Sequence, residues 1–139
     1  MIDYSNQITP DNITELKPNE VFVFGSNLAG RHGRGAAKQA LDWGARYGQG
    51  SGRWGNTYAI ATKGWRLEVR PLWQIGEDIA DFAKHAKNNP EKTFLVTEIG
   101  CGLACYTPEQ IAPLFKPAIE IPNIHLPKRF WEVLLKEEK

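Results

Sequence analysis

Short apolar segments alternate with helical patterns along this chain, and this alternation limits the possible fold more than any other feature. Residues 21–24 form a wholly apolar run, and residues 57–62 and 93–97 read as two further strands. Apolar residues at helical spacing predict helices over 35–43 and 72–88. Because strands and helices alternate, we expect an α/β fold of three layers, with a mostly parallel or mixed central sheet between helices.

Glycine and proline mark the ends of the predicted elements. The first twenty residues are expected to be irregular, apart from a short helical turn at 10–16. Residues 44–55 contain five glycines and are predicted to form a loop. Thr107 precedes Pro108 with Gln110 three residues further on, which predicts a capping box at the start of another helix.

A short strand at 124–126 and a closing helix at 130–136 complete the predicted elements. No repeat, low-complexity tract or linker interrupts the 139 residues. The sequence therefore predicts one domain over residues 1–139, of which 1–20 form an irregular N-terminal segment.

The overall composition argues against several classes of protein. Seventeen basic and sixteen acidic residues give a net charge of +1, so broad nucleic-acid binding is not expected. No apolar stretch is long enough for a transmembrane helix, and no secretory signal opens the chain. Two cysteines four residues apart and three scattered histidines do not match a zinc pattern. We expect a cytoplasmic protein with reduced thiols, no membrane partner, no metal and no cofactor.

The strand at 21–24 continues into a glycine-rich, basic loop that opens a helix. Ligands of parallel sheets bind beyond the carboxyl ends of the strands, and glycines let the backbone approach a phosphate closely. His32 lies between two arginines and is a candidate proton donor or phosphate contact, with a solvated loop histidine as the alternative. The spacing matches neither a dinucleotide fingerprint nor a Walker loop, and a tight strand-to-helix turn is the alternative explanation. The candidate site residues in this loop are Gly25, Ser26, Asn27, His32, Gly33, Arg34, Gly35 and Ala36.

A second loop, residues 98–106, follows the strand at 93–97 and leads into the capped helix. Two such loops side by side could hold a diphosphate between their backbone amides. No histidine lies near Cys101 or Cys105 in the sequence, so packing is the favoured role for both cysteines. The candidate ligand-binding residues in this loop are Gly100, Cys101, Gly102, Leu103, Ala104 and Tyr106.

These motifs resemble the macrodomain family, whose members bind or hydrolyse ADP-ribose derivatives. Phe24-Gly25-Ser26-Asn27-Leu28 with Gly33-Arg34-Gly35-Ala36-Ala37 resembles the first substrate loop of macrodomains. Ile99-Gly100-Cys101-Gly102-Leu103 resembles the second loop of the branch that removes ADP-ribose from carboxylate side chains, and Tyr58 to Lys63 resembles that branch's strand with a terminal catalytic lysine. The similarity runs from Val21 to Phe115. Small macrodomain-like proteins of bacteriophages are also similar, which implies the cytoplasm of a bacterium or of a phage-infected host.

The resemblance implies roles for individual residues. Asn27 would contact the ribose near the scissile bond, and Lys63 would attack the anomeric carbon if its amine is neutral. A solvated lysine just past a strand is the alternative for Lys63. The related branch has an aspartate where this chain has Ala104; Glu98 is the nearest carboxylate and would either substitute for it or form a surface ion pair.

The sequence is compatible with several functions. The implied partner is an ADP-ribose-like small molecule or an ADP-ribosylated macromolecule. The chain would act on it as an ADP-ribosyl hydrolase of glycosidase or esterase type, or as an ADP-ribose phosphate phosphatase. The alternative is a non-catalytic binder that sequesters a nucleotide signal or reads ADP-ribosylated targets; a protein-interaction domain is a third hypothesis. Trp54, Trp65 or Tyr106 would stack on an adenine or pack in an interface.

Overall fold

The computed structural model describes residues 3–102 and 104–137, and a five-stranded mixed sheet forms its centre. The strands are β1 (Glu20–Asn27), β2 (Gly52–Trp54), β3 (Thr57–Lys63), β4 (Thr93–Val96) and β5 (Ile124–His125). They lie in the order β2-β3-β1-β4-β5, and every neighbouring pair is parallel except β2 with β3. The predicted α/β fold with a mostly parallel or mixed sheet is therefore confirmed.

Helices cover both faces of this sheet. They are α1 (Gly35–Ala40), α2 (Leu72–Lys87), α3 (Pro108–Ile111) and α4 (Lys128–Glu137), with 3-10 segments at Leu41–Trp43 and Ala112–Ala118. Thr107 and Gln110 form the predicted capping box at the start of α3. None of the helices in the described part of the chain is long and apolar enough to span a membrane.

The alternation of side chains along β1 builds two separate cores. Val21 and Val23 belong to the larger core, together with apolar residues of α2 and α4, whereas Phe22 and Phe24 belong to the smaller core with Ala37 of α1. Successive side chains of a strand point to opposite faces, so a wholly apolar strand must be covered on both sides. This is why the run at 21–24 lies at the centre of the sheet.

Two of the local predictions were wrong. Residues 10–16 form no helical turn; the preceding segment instead runs beside the end of β5, where Ile8 bridges Leu126 and the N–H of Thr9 donates to the Leu126 carbonyl at 2.9 Å. Residues 52–54 are a strand within the predicted loop 44–55. The strand begins at the left-handed Gly52 (φ 87°) and is followed by the left-handed Gly55 (φ 58°), so the glycines that indicated a loop also allow the antiparallel hairpin with β3.

The order of the strands reverses at β1, and this determines where a ligand could bind. From β1 the chain passes to β3 on one side and later to β4 on the other. The connections therefore diverge at the carboxyl ends of these three strands and leave a crevice there. Within the crevice Asn27 and Lys63 are register partners, after a bulge between Ser26 and Asn27.

Candidate functional site

A cleft of about 490 Å³ opens at the carboxyl ends of β1, β3 and β4. Both predicted loops line it. A Cβ built on Gly25 of the first loop would lie 3.5 Å from the Gly100 nitrogen of the second, so the two loops are direct neighbours. The predicted site residues that line this first cleft are Gly25, Ser26, Asn27, Gly33, Arg34, Gly35, Ala36, Lys63, Glu98, Gly100, Gly102 and Ala104.

Other predicted site residues lie elsewhere. His32, Cys101 and Tyr106 are not part of the lining, and Leu103 falls outside the described residues. The Tyr106 hydroxyl donates to the Arg70 carbonyl at 2.6 Å, which ties the second loop to the segment after β3. That bond commits the Tyr106 ring to a structural position rather than to stacking on a ligand.

Asn27 uses its side chain to shape the first loop. Its amide oxygen accepts the Arg31 N–H at 2.9 Å, and its amide nitrogen donates to the Arg31 carbonyl at 3.1 Å. A side-chain amide has two lone pairs and two N–H groups, so one acceptor and one donor position remain for a ligand. Asn27 can therefore hold the loop and contact a ligand at the same time.

The first loop is fastened to residues 44–50, which cross over the end of β1. The Gly48 N–H donates to the Gly30 carbonyl at 2.8 Å, and the Ser26 hydroxyl donates to the Gly50 carbonyl. Gly30 and Gly50 are required at this crossing, because added Cβ atoms would lie 2.2 Å from the Gly48 carbonyl carbon and 1.8 Å from the Asn27 oxygen. These contacts with residues 44–50 fix the position of the first loop.

His32 belongs to this crossing and not to the cleft. Its side chain is only 1% exposed, and its Nε2 lies 3.0 Å from the Gln49 carbonyl. A carbonyl oxygen only accepts, so the ring carries a proton on Nε2, while Nδ1 is buried and has no hydrogen-bond partner among the described residues. The ring packs edge-on against Phe24 and Tyr47. The structure therefore places His32 out of reach of a ligand in the cleft, against its predicted role as proton donor or phosphate contact.

Hydrogen bonds hold the ends of the second loop and the thiol of Cys101. The Tyr106 N–H donates to the Gly100 carbonyl at 2.8 Å, and Gly100 has a left-handed backbone (φ 78°). The Cys101 thiol donates to the Ile99 carbonyl at 3.6 Å, and burial raises its pKa to about 11. A thiol that stays protonated at neutral pH is a poor nucleophile, which fits the packing role expected for Cys101.

Glu98 forms an ion pair with Arg129, which is one of the two roles that the sequence allowed for it. Arg129 of α4 donates to both carboxylate oxygens, at 2.7 and 2.5 Å. These hydrogen bonds hold the pKa of Glu98 below its ordinary value. The carboxylate lines the cleft in its ionised form, so Glu98 could accept a proton there but is a poor proton donor at neutral pH.

Lys63 is the half-buried last residue of β3. Its backbone carbonyl accepts the Leu28 N–H at 2.9 Å, which ties the end of β3 to the first loop. The lysine lines the cleft beside Asn27, its register partner. The sequence thus led to two polar residues that the fold brings together at one point of the crevice.

Several lining residues carried little signal in the sequence. Tyr47 lines the cleft from the crossing loop and is 66% exposed; an aromatic residue amid glycines was the one available hint. Leu67 lines it from the segment after β3 and is 39% exposed, with an unusual left-handed backbone (φ 64°). No sequence pattern predicts that conformation for leucine. Trp54 and Trp65, the other stacking candidates, do not line this cleft.

A second cleft of about 890 Å³ adjoins the first. Gly35, Ala36, Thr97 and Glu98 line both clefts. The second cleft is polar on one side, with Asp11 and the buried hydroxyl of Thr9, which has no hydrogen-bond partner in the described structure. An elongated ligand could extend from one cleft into the other.

The charges around the first cleft favour an anion. Arg31, Arg34 and Lys63 line it, whereas the single acidic residue of its described lining, Glu98, is paired with Arg129. Within residues 3–102 and 104–137, no three His, Cys, Asp or Glu side chains are grouped as a metal site requires.

Comparisons with known proteins add no assignment. A scan of protein-family models, a search of curated proteins and a search of solved structures each found no match to this chain. The geometry of the clefts and the motifs that line them are therefore the basis for a functional proposal.

Proposed function

We propose that this chain binds ADP-ribose or a closely related nucleotide in the two joined clefts and hydrolyses an ADP-ribosyl linkage there. The observation that carries the proposal is the meeting of two glycine-rich loops at the point where the strand order reverses. A crevice of this kind is where α/β sheets bind nucleotides. The resemblance of both loops to macrodomain motifs selects ADP-ribose among the nucleotides.

The shape of the site supports an elongated ligand. The clefts join at Gly35, Ala36, Thr97 and Glu98, beside the first turn of α1. The first N–H groups of a helix have no partner within it and can donate to an anion. A diphosphate at this junction would place one sugar in each cleft. The second cleft would then hold the adenosine, where Asp11 offers a hydrogen-bond acceptor.

The chemistry that the proposal requires is centred on Lys63 and Asn27. In the reaction implied by the resemblance, the Lys63 amine forms a bond to the anomeric carbon as the bond from that carbon to the acceptor breaks. Water then releases ADP-ribose and restores the amine. Asn27, with one free donor and one free acceptor position, would orient the ribose hydroxyl groups.

A non-catalytic binder is the second candidate, and two observations favour it. Ala104 stands where the related hydrolases have an acidic residue. The nearest carboxylate, that of Glu98, is held by Arg129. A chain without a free acid in the cleft would retain the ligand without cleaving it, and would act by sequestering a nucleotide or by recognising ADP-ribosylated targets.

Calorimetric titration tests whether the site binds its proposed ligand. We expect ADP-ribose to bind with one site per chain, and AMP and ribose 5-phosphate each to bind at least about tenfold more weakly, because each would fill only one cleft. Absence of heat with millimolar ADP-ribose, in protein that unfolds cooperatively, would reject the proposal. Equal affinities for the three ligands would reject the elongated binding mode.

A second experiment separates the hydrolase from the binder. The chain is incubated with ADP-ribosylated protein and with ADP-ribosylated oligonucleotide, and released ADP-ribose is quantified. For the hydrolase we expect release that falls by at least about 100-fold in Lys63→Gln, while ADP-ribose affinity changes by less than about fivefold. Recovery of intact substrate after denaturation would favour the binder, and unchanged turnover in Lys63→Gln would exclude the lysine mechanism.

A further inference from the structure

We propose that Tyr47 is a stacking platform for a planar ring, attached to the end of the ligand that lies in the first cleft away from the second. This inference rests on the proposed function and narrows its substrate class. The preferred ligand would be an ADP-ribosyl group whose terminal ribose carries a heteroaromatic ring, rather than a free ADP-ribose or an aliphatic side-chain conjugate.

Tyr47 is unusual because it is exposed where large side chains are normally covered. Among the described lining residues of the first cleft, Tyr47 and Leu67 are the large apolar side chains that remain exposed, by 66% and 39%. Neither residue lines the second cleft. In the proposed binding mode, both side chains are therefore available to the part of the ligand that lies in the first cleft.

The rings of Phe24 and His32 support the Tyr47 ring from the side of the core. Phe24 lies in the core, the His32 ring packs on it at 5.5 Å between centroids and 80°, and the Tyr47 ring lies 6.1 Å from His32 at 72°. Edge-to-face pairs of this kind prefer a fixed mutual orientation. One side of the tyrosine ring is thus supported by the protein, while most of its surface faces solvent at the cleft.

The backbone that carries Tyr47 is also fixed. Gly48, the next residue, donates to the Gly30 carbonyl at 2.8 Å, and Gln49 accepts from His32 at 3.0 Å. The Gly50 carbonyl accepts the Ser26 hydroxyl. A preorganised side chain loses less entropy on binding, so an exposed ring on a fixed backbone in the lining of a cleft is suited to contact a ligand.

Leu67 supplies the second apolar contact and is held in a strained conformation. Its backbone is left-handed (φ 64°), which is costly for leucine, and its N–H donates to the Gly64 carbonyl at 3.1 Å. The bridge between Lys63 and Val69 closes this turn at its base. The turn therefore keeps an exposed leucine in the cleft lining at the expense of backbone strain.

The class of group that fits these contacts is a flat, largely apolar ring. Stacking of a base on an aromatic side chain strengthens binding by about tenfold or more per base. Such a ring could be a pyridine-type ring or a nucleobase. Both share the same chemistry at Tyr47, and they are distinguished by the choice of ligands in the experiment.

The test compares three ligands that share the ADP-ribosyl part. ADP-ribose has no ring on its terminal ribose, NAD⁺ has an aromatic nicotinamide, and diadenosine diphosphate has an adenine. Affinities are measured by calorimetry for the wild-type chain, Tyr47→Ala and the matched control Tyr47→Phe. Because the Tyr47 side chain is largely exposed, both variants are expected to fold, and urea unfolding verifies this.

We expect at least one ring-bearing ligand to bind about tenfold more tightly than ADP-ribose, and that gain to persist in Tyr47→Phe and disappear in Tyr47→Ala. A gain for NAD⁺ alone assigns a pyridine-type ring, and a gain for diadenosine diphosphate alone assigns a purine. If ADP-ribose binds but neither ring adds affinity, or if Tyr47→Ala weakens all three ligands equally, the stacking role is overturned while the proposed function stands. If none of the three binds, the proposed function fails with it.

Discussion

The His32 ring reaches the backbone carbonyl of Gln49 with its Nε2 atom at 3.0 Å, and this contact joins the first loop to the loop that carries Tyr47. The same ring fills the space between Phe24 and Tyr47. His32 was expected to contact a ligand directly, but it lies beneath the residues that line the first cleft. Its contribution is to hold two lining segments in a fixed relation.

We predict that His32→Ala destabilises the chain by about 2–4 kcal/mol, because it removes a fully buried ring and leaves a cavity. His32→Phe is the matched control, since it keeps the ring and loses only the hydrogen bond; its cost should be about 1 kcal/mol. Urea unfolding monitored by tryptophan fluorescence gives both values. Equal losses for the two variants would show that the hydrogen bond, and not the packing, is the main contribution.

A second prediction concerns the crossing of the two loops. Gly30→Ala and Gly50→Ala should each cost more than about 3 kcal/mol, because the added Cβ would overlap backbone atoms at 2.2 and 1.8 Å. Gly33→Ala is the control: its Cβ would meet nothing within 4 Å, so its stability should change by less than about 0.5 kcal/mol. Thermal unfolding compares the three, and a tolerated Gly50→Ala would contradict the described crossing.

The ion pair between Glu98 and Arg129 predicts a dependence on acid. Hydrogen bonds from Arg129 lower the pKa of Glu98 below its ordinary 4.5, so the pair adds stability above that pH and loses it as the pH falls through the lowered value. Arg129→Gln should shift the Glu98 pKa back toward 4.5, which an NMR titration of the carboxyl carbon would detect. Because the pair is substantially exposed, we expect only a small loss of stability at pH 7. An unchanged titration in Arg129→Gln would contradict the bidentate contact.

His85 should make the chain less stable in mild acid. Burial, and then the charge of Arg53, lower its pKa from the ordinary 6.5. The unfolded chain therefore takes up the proton more readily, and stability is lost as the pH falls from above 6.5 through the lowered pKa. His125, whose pKa burial also lowers, adds to the same trend.

The variant His85→Phe isolates the contribution of His85. It keeps a ring against Tyr58 and Phe94, which lie 5.2 and 5.6 Å from the His85 ring, and it cannot be protonated. We expect the melting temperature to fall less between pH 7.5 and pH 5 in this variant than in the wild-type chain. The same fall in both proteins would assign the acid sensitivity to other groups.

The sequence predicted the elements whose pattern is repeated over many residues. Helix α2 was expected over 72–88 and lies at Leu72–Lys87, because its buried residues recur at helical spacing. The short edge strand β2 was missed, since three half-buried residues between glycines carry no periodic signal. The N-terminal segment was also misread, because its backbone pairs with Leu126, more than a hundred residues away. Such pairing is invisible in local sequence.

The same difference separates the residues of the candidate site that could be predicted from those that could not. Asn27 and Lys63 are the last residues of β1 and β3, which pair in the sheet. The rule that ligands bind beyond the carboxyl ends of parallel strands was therefore enough to select both from the sequence. The positions of Tyr47 and Leu67 depend on how irregular segments fold back over the strand ends, and neither could be predicted. His32 was placed in the wrong environment because its partner, Gln49, belongs to a loop that the sequence could not dock against the first.

Much of the first cleft is lined by residues without a side chain, among them Gly25, Gly33, Gly35, Gly100 and Gly102. Truncation to alanine, the usual way to map a pocket, has nothing to remove at these positions. A substitution at these glycines could not weaken an inhibitor that contacts the main chain by removing a side-chain contact. It could do so only by adding a side chain that blocks the inhibitor. At Gly35 and Gly100, where φ is 57° and 78°, any such gain would itself distort the loop. Resistance would then be expected to arise first at Gly33 or Gly102, where an added methyl group meets open space.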